Sequence, residues 1–341
     1  MSETYRIFRS GVYPAIFAIL IILSGSCEKN VDIDIGETDA MIVVNGVLMA
    51  DSTVRIYLSR TRHILDNNEI NSLTNATVEL SDAEGNTEQL LLGDGQLYRS
   101  DQMNIEPGKE YTIRASVPGY NDVEASTVIP VNVPIASFDT SRVYDDYGET
   151  MVEFEIILDD PPGVDNYYMI SIKSHLQYFN TEYLYYLDTL YVDQEKDTVV
   201  VGYVRDSVVY KDVRNESIWF ESENLAIEQE DSYSSRVIFS DRLFDGKTYT
   251  IRGRFNTWFL YGVNDSSTID VSLQTIDSHY YKYIDSRTDH YYARNDPFAV
   301  PVVVHNNIQN GVGILGAMSS DQVSFKLAPV VPDWEREYLY K

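Results

Sequence analysis

Short runs in which apolar and polar residues alternate follow one another from Ala40 onward, and many of them are rich in β-branched side chains. Alternation with a period of two is typical of strands that bury one face of a sheet. The first five runs are Met41–Leu48, Thr53–Ser59, Ala76–Ser81, Glu88–Leu92 and Glu110–Val117. The turn signals among them are Asn45-Gly46, Asp82-Ala83-Glu84-Gly85-Asn86, Gly93-Asp94-Gly95 and Pro107-Gly108. This spacing predicts a mainly β fold.

Two regions are predicted, and the boundary between them is Val128–Pro134, an extended stretch that contains two prolines. Residues 40–133 are predicted to form a β-sandwich of immunoglobulin or transthyretin type. Residues 134–341 are predicted to form a larger, tyrosine-rich β domain. Its runs are Met151–Leu158, Tyr167–Ser174, Tyr183–Val192, Thr198–Val204, Ser217–Glu221, Tyr249–Trp258, Thr268–Thr275 and Val302–His305.

One segment of the second region has helical spacing. In Ser278–Ala293 four residues recur at intervals that place them on one face of a helix: Tyr280, Ile284, Arg287 and Tyr291. Asp277 directly precedes the segment, and aspartate is a favoured residue at a helix N-cap. The sequence therefore predicts one substantial helix that packs on a sheet.

The N-terminus has the composition of a secretory signal peptide over residues 1–26. A start with two arginines precedes the apolar run Val12–Leu23, and Ser24-Gly25-Ser26 supplies small residues at the cleavage position. Cys27, the only cysteine of the chain, follows at once. A cysteine in this position indicates a bacterial lipoprotein signal, so Cys27 is the predicted lipid attachment site. Residues 27–39 are then an acidic tether between the lipid and the folded body.

Two other interpretations of the N-terminus stay open. The apolar run has about a dozen residues, whereas a helix needs about 20 to cross a bilayer, so a permanent membrane span is disfavoured. Cys27 could also be an ordinary residue near the start of a secreted protein, since Ser24 stands where lipoprotein signals prefer leucine. A lone cysteine is nevertheless unusual in an exported protein, because oxidising compartments favour pairs.

The charge of the chain excludes one class of partner. Its 53 acidic and 26 basic residues give a net charge of −27. Such a protein repels the phosphates of nucleic acids and anionic lipid headgroups. Nucleic acid binding is therefore excluded, and attachment to a membrane has to come from acyl chains on Cys27.

No motif in the sequence predicts a catalytic residue, a cofactor or a metal site. Gly311–Gly316 matches the dinucleotide fingerprint G-x-G-x-x-G, but the strand-like run Asp321–Leu327 follows it where a helix is required. These glycines are better explained as tight turns between strands. Acidic pairs such as Asp145-Asp146 and Asp159-Asp160 are predicted to be solvated turns rather than calcium ligands, because the spacing of an EF-hand is absent. The five histidines are His63, His175, His279, His290 and His305; they are scattered and form no zinc motif.

Tyrosine is concentrated in the second region, where 21 of the 27 tyrosines lie beyond Pro134. Adjacent tyrosines on a strand direct one ring to the core and the next to solvent. Exposed tyrosines suit contacts with proteins or glycans, although tyrosine is also an ordinary strand residue. The clusters are Tyr167-Tyr168, Tyr183/Tyr185/Tyr186, Tyr280-Tyr281 and Tyr291-Tyr292.

Several segments, taken together, resemble a domain-of-unknown-function family of outer-membrane lipoproteins from Bacteroidota. They are Cys27-Glu28-Lys29, Ile42–Gly46, Phe239–Lys247, Tyr280–Ile284, Asn295–Phe298, and Asn306–Ile308 leading into Gly311–Gly316. The resemblance implies an exported lipoprotein encoded near TonB-dependent outer-membrane receptors. It implies no activity, so no catalytic residue is carried over.

The resulting expectation is a non-enzymatic lipoprotein of the outer membrane, on the cell surface or the periplasmic face. It would help a TonB-dependent transporter to capture a ligand such as a glycan or a peptide. Two alternatives stay open. A surface hydrolase would need convergent carboxylates or a Ser/His/Asp set in a cleft, and an adhesin or scaffold would affect attachment rather than uptake.

Overall fold

The computed structural model describes residues 39–63, 66, 72–193, 198–222, 233–260, 267–296 and 298–328, with the backbone alone between residues 177 and 212. Cys27, the predicted signal peptide and all of the predicted tether except Asp39 lie outside the described residues. From Ala40 onward the chain forms one compact unit. This unit is mainly β with one helix in its described part, as the alternation in the sequence predicts.

Seventeen strands and the helix α1, Ser278–Asn295, make up the described secondary structure apart from three short 3₁₀ turns. The strands are β1 Ile42–Met49, β2 Arg55–Arg60, β3 Thr77–Asp82, β4 Thr87–Leu92, β5 Leu97–Arg99, β6 Glu110–Ser116, β7 Val123–Val128, β8 Ile135–Tyr144, β9 Thr150–Asp159, β10 Tyr167–Asp193, β11 Thr198–Ile218, β12 Phe220–Ser222, β13 Tyr233–Ser234, β14 Arg236–Ser240, β15 Thr248–Asn256, β16 Ser267–Ile276 and β17 Val312–Leu327.

The strands form two sheets. The large mixed sheet has the order β11-β10-β16-β17-β1-β2-β5-β4-β3-β6-β7, and β14 also pairs with β10. The smaller antiparallel sheet has the order β13-β12-β15-β9-β8. The large sheet is mixed because β1 and β17, which come from opposite ends of the described chain, pair in parallel from Val43↔Val312 to Met49↔Met318.

Gly313 and Gly316 lie within β17, which begins directly after Gly311, so the prediction of tight turns was wrong for these two glycines. Gly313 has a φ of +122°, and a Cβ atom there would lie 2.0 Å from the carbonyl oxygen of Val44 on β1. A Cβ on Gly316 would lie 2.7 Å from the Cβ of Tyr280 on α1. These glycines therefore let a neighbouring strand and the helix approach the backbone closely.

Most runs read from the sequence are strands, but two further local predictions were wrong. Asn45-Gly46 lies inside β1 instead of forming a turn. Val302–His305 is not a strand, because the helix uses its backbone groups: the ring Nδ1 of His290 donates to Val302 O at 2.8 Å, and His305 N donates to Ser286 Oγ at 2.8 Å.

Two large clusters of buried apolar side chains lie within the unit. One contains buried residues of β1–β7 and of the chain up to Ile129. The C-terminal segment adds three more residues to it: Ile308, Leu315 and Ala317. The other begins at Val133 and runs to Leu327. A small third cluster forms where α1 packs on the sheet. Within the described residues, no helix is sufficiently long and apolar to span a bilayer.

The strands β10 and β11 form a hairpin much longer than its neighbours. The sequence predicts two strands within β10, whereas the structure has one continuous strand of 27 residues. Its pairing with β16 ends at Leu176, yet its pairing with β11 continues to Asp193↔Thr198. Among the described strands only β11 pairs with residues 177–193, so these residues extend about 55 Å at roughly 3.3 Å per residue.

A histidine bridges the strands at the base of this hairpin. The ring Nδ1 of His175 lies 2.7 Å from Asn215 Oδ1, and Nε2 lies 2.7 Å from Asp270 Oδ2. Because the imidazolium donates from both nitrogens, the hydrogen bonds to Asn215 and then to Asp270 raise the pKa of His175.

We expect the stability of the protein to depend on pH through His175. A raised folded-state pKa gives stabilisation that is complete below the unfolded value of about 6.5 and is lost as the pH rises through the folded pKa. Unfolding midpoints between about pH 5.5 and 8.5 should therefore fall more steeply in the native protein than in His175→Gln. Equal slopes in the two proteins would contradict this role.

Candidate functional site

A groove of about 850 Å³ lies beside β7. Three stretches of chain line it: Ser126–Pro134, Val164–Tyr167 and Thr275–His279. Glu110 and Asp159 lie at it as well. Its volume is within the range of about 300–1,000 Å³ that ligand sites occupy. We refer to this recess as the β7 groove.

One wall of the β7 groove is the extended segment that follows β7. Proline at positions 130 and 134 keeps it extended, since proline fixes φ and has no N–H for a regular ladder. Ile129 N donates to Lys109 O at 2.9 Å, Ser319 Oγ donates to Pro130 O at 2.6 Å, and Val133 N donates to Thr275 Oγ1 at 3.1 Å. The segment is therefore fixed to three other parts of the fold.

The groove presents apolar side chains to solvent. Val128, Val131 and Val164 are 51%, 67% and 59% exposed, whereas Ile129 and Val133 of the same wall are buried in the core. Asn132 also lines the groove, and its buried Oδ1 has no hydrogen-bond partner among the described residues. The wall thus combines apolar surface with an acceptor that has no described partner.

The side chain of Asp277 links several elements that line the groove or lie next to it. Its side chain accepts hydrogen bonds from His279 N at 3.1 Å and Tyr280 N at 3.2 Å, which confirms the predicted N-cap of α1. It also accepts from Ala317 N at 2.7 Å and from Thr127 Oγ1 at 3.1 Å. Burial raises the pKa of Asp277, and these hydrogen bonds act against that rise. One carboxylate therefore joins β7, β17 and the helix.

Two histidines that are far apart in the sequence contact each other beside the N-terminus of α1. His279 Nδ1 lies 3.0 Å from His305 Nε2, and the rings stack with centroids 5.3 Å apart. Burial lowers the pKa of His305, and the neighbouring His279 and Lys282 lower it further. The sequence missed this pair because 25 residues, including most of α1, separate its members. The pair fastens the segment after α1 back onto the start of the helix.

Asp160 is buried, so the prediction of a solvated turn at Asp159-Asp160 was wrong for this residue. Ligand oxygens of Asp160, Asp241 and Asp245 lie within 4.8 Å of one another. Their carboxylates already accept hydrogen bonds: from Tyr168 OH to Asp160 Oδ1 at 2.5 Å, from Asn166 N to Asp241 Oδ2 at 2.6 Å, and from Gly163 N to Asp245 Oδ1 at 2.9 Å. The cluster thus organises the turns between strands.

Only some of the tyrosine pairs place one ring in the core and the other at the surface. On β10, Tyr168 is fully buried, while Tyr167 lies at the surface of the sheet and packs on Tyr281 of α1 with ring centroids 4.7 Å apart. Tyr280 also packs between helix and sheet, whereas Tyr291 is 64% exposed. The side chains of Tyr183, Tyr185 and Tyr186 lie outside the described part of the structure.

Comparison with known proteins gives one informative match. A family model described as "Domain of unknown function (DUF4249)" matches residues 28–324. No curated protein matches the chain.

Two solved structures are similar at low level. A β-glucuronidase from glycoside hydrolase family 2 shares 8% identity over 86% of this chain, with a TM-score of 0.19; this chain covers 21% of it. The Enterococcus faecalis MSCRAMM ACE, described as binding its ligands by the collagen Hug model, shares 6% identity over 82% of this chain and 97% of its own, with a TM-score of 0.18. TM-scores this low carry no argument about fold or function.

Proposed function

We propose, starting from the fact that this chain belongs to the DUF4249 family, that it is an outer-membrane lipoprotein which captures a ligand for a TonB-dependent transporter. The lipid anchor is Cys27, and the role is non-enzymatic. Support for the anchor comes from the signal-peptide pattern of residues 1–26, and support for the transporter comes from the family resemblance. Within this proposal, residues 40–133 are an immunoglobulin- or transthyretin-like module that precedes the larger β domain of residues 134–341.

The observation that carries the capture role is the β7 groove. Ligand sites are concave and mostly apolar, with a few polar groups that fix orientation. The groove has three exposed valines and a wall fixed by hydrogen bonds, so it is already formed without a ligand. A preformed site binds without the cost of ordering its own walls.

The long hairpin supports the partner role. A two-stranded ribbon is marginally stable in water by itself. Residues 177–193 and 198–213 pair only with each other among the described strands, so a surface that packs against them would stabilise them. We propose that the hairpin docks on the transporter.

Co-purification tests this function. The chain, isolated from outer membranes in a mild detergent, should bring down a TonB-dependent transporter. A variant in which Asn180 is joined to Tyr210 through Asn-Gly keeps the register at the hairpin base, because these residues are paired. It should lose most of the transporter and keep its thermal stability.

The two outcomes are separable. If the native protein brings down no transporter, the proposed partner is wrong. If the shortened variant retains the transporter at the native level, docking through the hairpin is wrong, and the contact lies elsewhere on the protein.

A further inference from the structure

The strand beside the β7 groove has an open edge. β7 is the last strand of the large sheet, and its neighbour on one side is β6. On the other side, Glu124 exchanges two backbone hydrogen bonds with Gln309, of 3.4 and 2.8 Å. Residues along a strand alternate in the direction of their N–H and C=O groups. The backbone groups of Ser126 and Val128 therefore face away from β6, as those of Glu124 do, and no described backbone group pairs with them.

The groove lies along this open edge. Its lining includes Ser126 and Val128, whose side chains face away from the core, and Thr127, whose side chain faces inward. A recess that touches both faces of an edge strand lies beside that edge. The unpaired donors and acceptors of Ser126 and Val128 are thus available to a chain that enters the groove.

The carboxylates at the groove favour an extended ligand that carries positive charge. Glu110, Asp159 and Asp165 all lie at it with exposed carboxylates. Within the described residues, none of the three forms an ion pair with a lysine or an arginine. An anionic ligand would be repelled here, and a cationic group would be attracted.

We propose that the β7 groove binds an extended peptide with apolar side chains and one basic residue, which adds to the large sheet as a strand beside β7. This inference rests on the proposed role in ligand capture and names the class of ligand. Backbone hydrogen bonds to Ser126 and Val128 supply affinity in this mode of recognition, and alternate side chains fill the apolar recess.

The first test changes the ligand. The full chain in detergent is titrated into a fluorescein-labelled peptide, Lys-Val-Thr-Val-Thr-Val amide, and binding is followed by anisotropy. The same peptide with N-methyl groups on alternate amides keeps its side chains and loses the donors that edge pairing needs. The methylated peptide should bind at least about tenfold more weakly, as expected for loss of two or more hydrogen bonds. Equal binding of the two peptides would overturn the strand-addition proposal.

The second test changes the protein. Val128→Pro removes the outward N–H, a change that an edge strand tolerates, whereas Val128→Ala keeps this N–H and trims the side chain. The proline variant should lose about tenfold in affinity and the alanine variant no more than about threefold. Equal losses in both variants would show that only the side chain matters and would overturn strand addition.

Charge selection has its own control. The double change Glu110→Gln with Asp165→Asn should reduce the preference for the peptide with lysine over the same peptide with threonine in its place. Asp146→Asn removes one exposed charge in the turn between β8 and β9 and should leave the preference unchanged. An unchanged preference in the double variant would remove the basic residue from the proposal.

These results are distinguishable from failure of the proposed function. If the transporter co-purifies but neither peptide binds, the peptide inference is wrong and the transporter role stands. If the peptide binds as expected and no transporter co-purifies, the ligand class stands and the transporter role is wrong. Binding of an apolar small molecule in place of both peptides would also overturn the inference.

Discussion

Replacing Gly313 with alanine is expected to lower the free energy of unfolding by on the order of 3 kcal/mol or more. The added Cβ atom would lie 2.0 Å from Val44 O and 2.9 Å from Val44 C. Both are backbone atoms of β1, so no side-chain rotation relieves the overlap. The φ of +122° at Gly313 adds backbone strain for any residue with a Cβ. Relief requires that β1 and β17 separate, at the middle of the large sheet.

Gly85→Ala is the matched control for the Gly313 prediction. Gly85 also has a positive φ, +89°, but a Cβ atom there would meet nothing within 4 Å. Its substitution should therefore cost only the backbone strain, about 1 kcal/mol. Chemical denaturation followed by far-ultraviolet circular dichroism measures both variants. Equal losses at the two positions would show that the close approach to Val44 does not limit the sheet.

The substitution Cys27→Ser is expected to abolish lipid attachment and lipoprotein-type cleavage of the signal segment altogether. Serine lacks the thiol that takes up the diacylglyceryl group, so neither acylation nor cleavage of the lipoprotein type can follow. The protein should keep its signal segment or appear in soluble form. The fold should persist, because residue 27 precedes the first described strand, which begins at Ile42.

Mass spectrometry of the N-terminus decides the Cys27 prediction. The native protein should start at an acylated Cys27, and so should Ser26→Ala, which keeps a small residue at the cleavage position. A mature chain that starts at another residue, or an unmodified Cys27, would refute the lipid anchor and the location proposed from it. The β7 groove and its ligand class would not be affected by that result.

Features that depend on neighbours in sequence were predictable. Alternation located most strands, and Asp277 marked the start of α1, because capping joins residues two and three positions apart. The turn Asp82–Asn86 was also visible, since Asp82 Oδ1 accepts from Glu84 N and Asn86 N within the same short segment. In each case the stabilising contact lies inside the pattern that the sequence displays.

Features that depend on distant partners were not predictable. The glycines at Gly311–Gly316 have the composition of a turn, and only the pairing of β17 with β1 shows that they permit close approach. The burial of Asp160 likewise depends on Tyr168 and on Gly246, which donates to Asp160 Oδ2 at 2.8 Å. The β7 groove draws on three separate stretches of chain, so no single segment carries its signal.

The parallel pairing of β1 with β17 also has a consequence for the time at which the protein can fold. Val43 and Val312 are partners, so the middle of the large sheet closes only after roughly 270 residues have followed Val43, and such long-range closure is slow. Until then β1 lacks one of its two neighbours. The large sheet should therefore stay incomplete during synthesis until β17 has been made, although β2–β7 pair with one another within a much shorter stretch of chain.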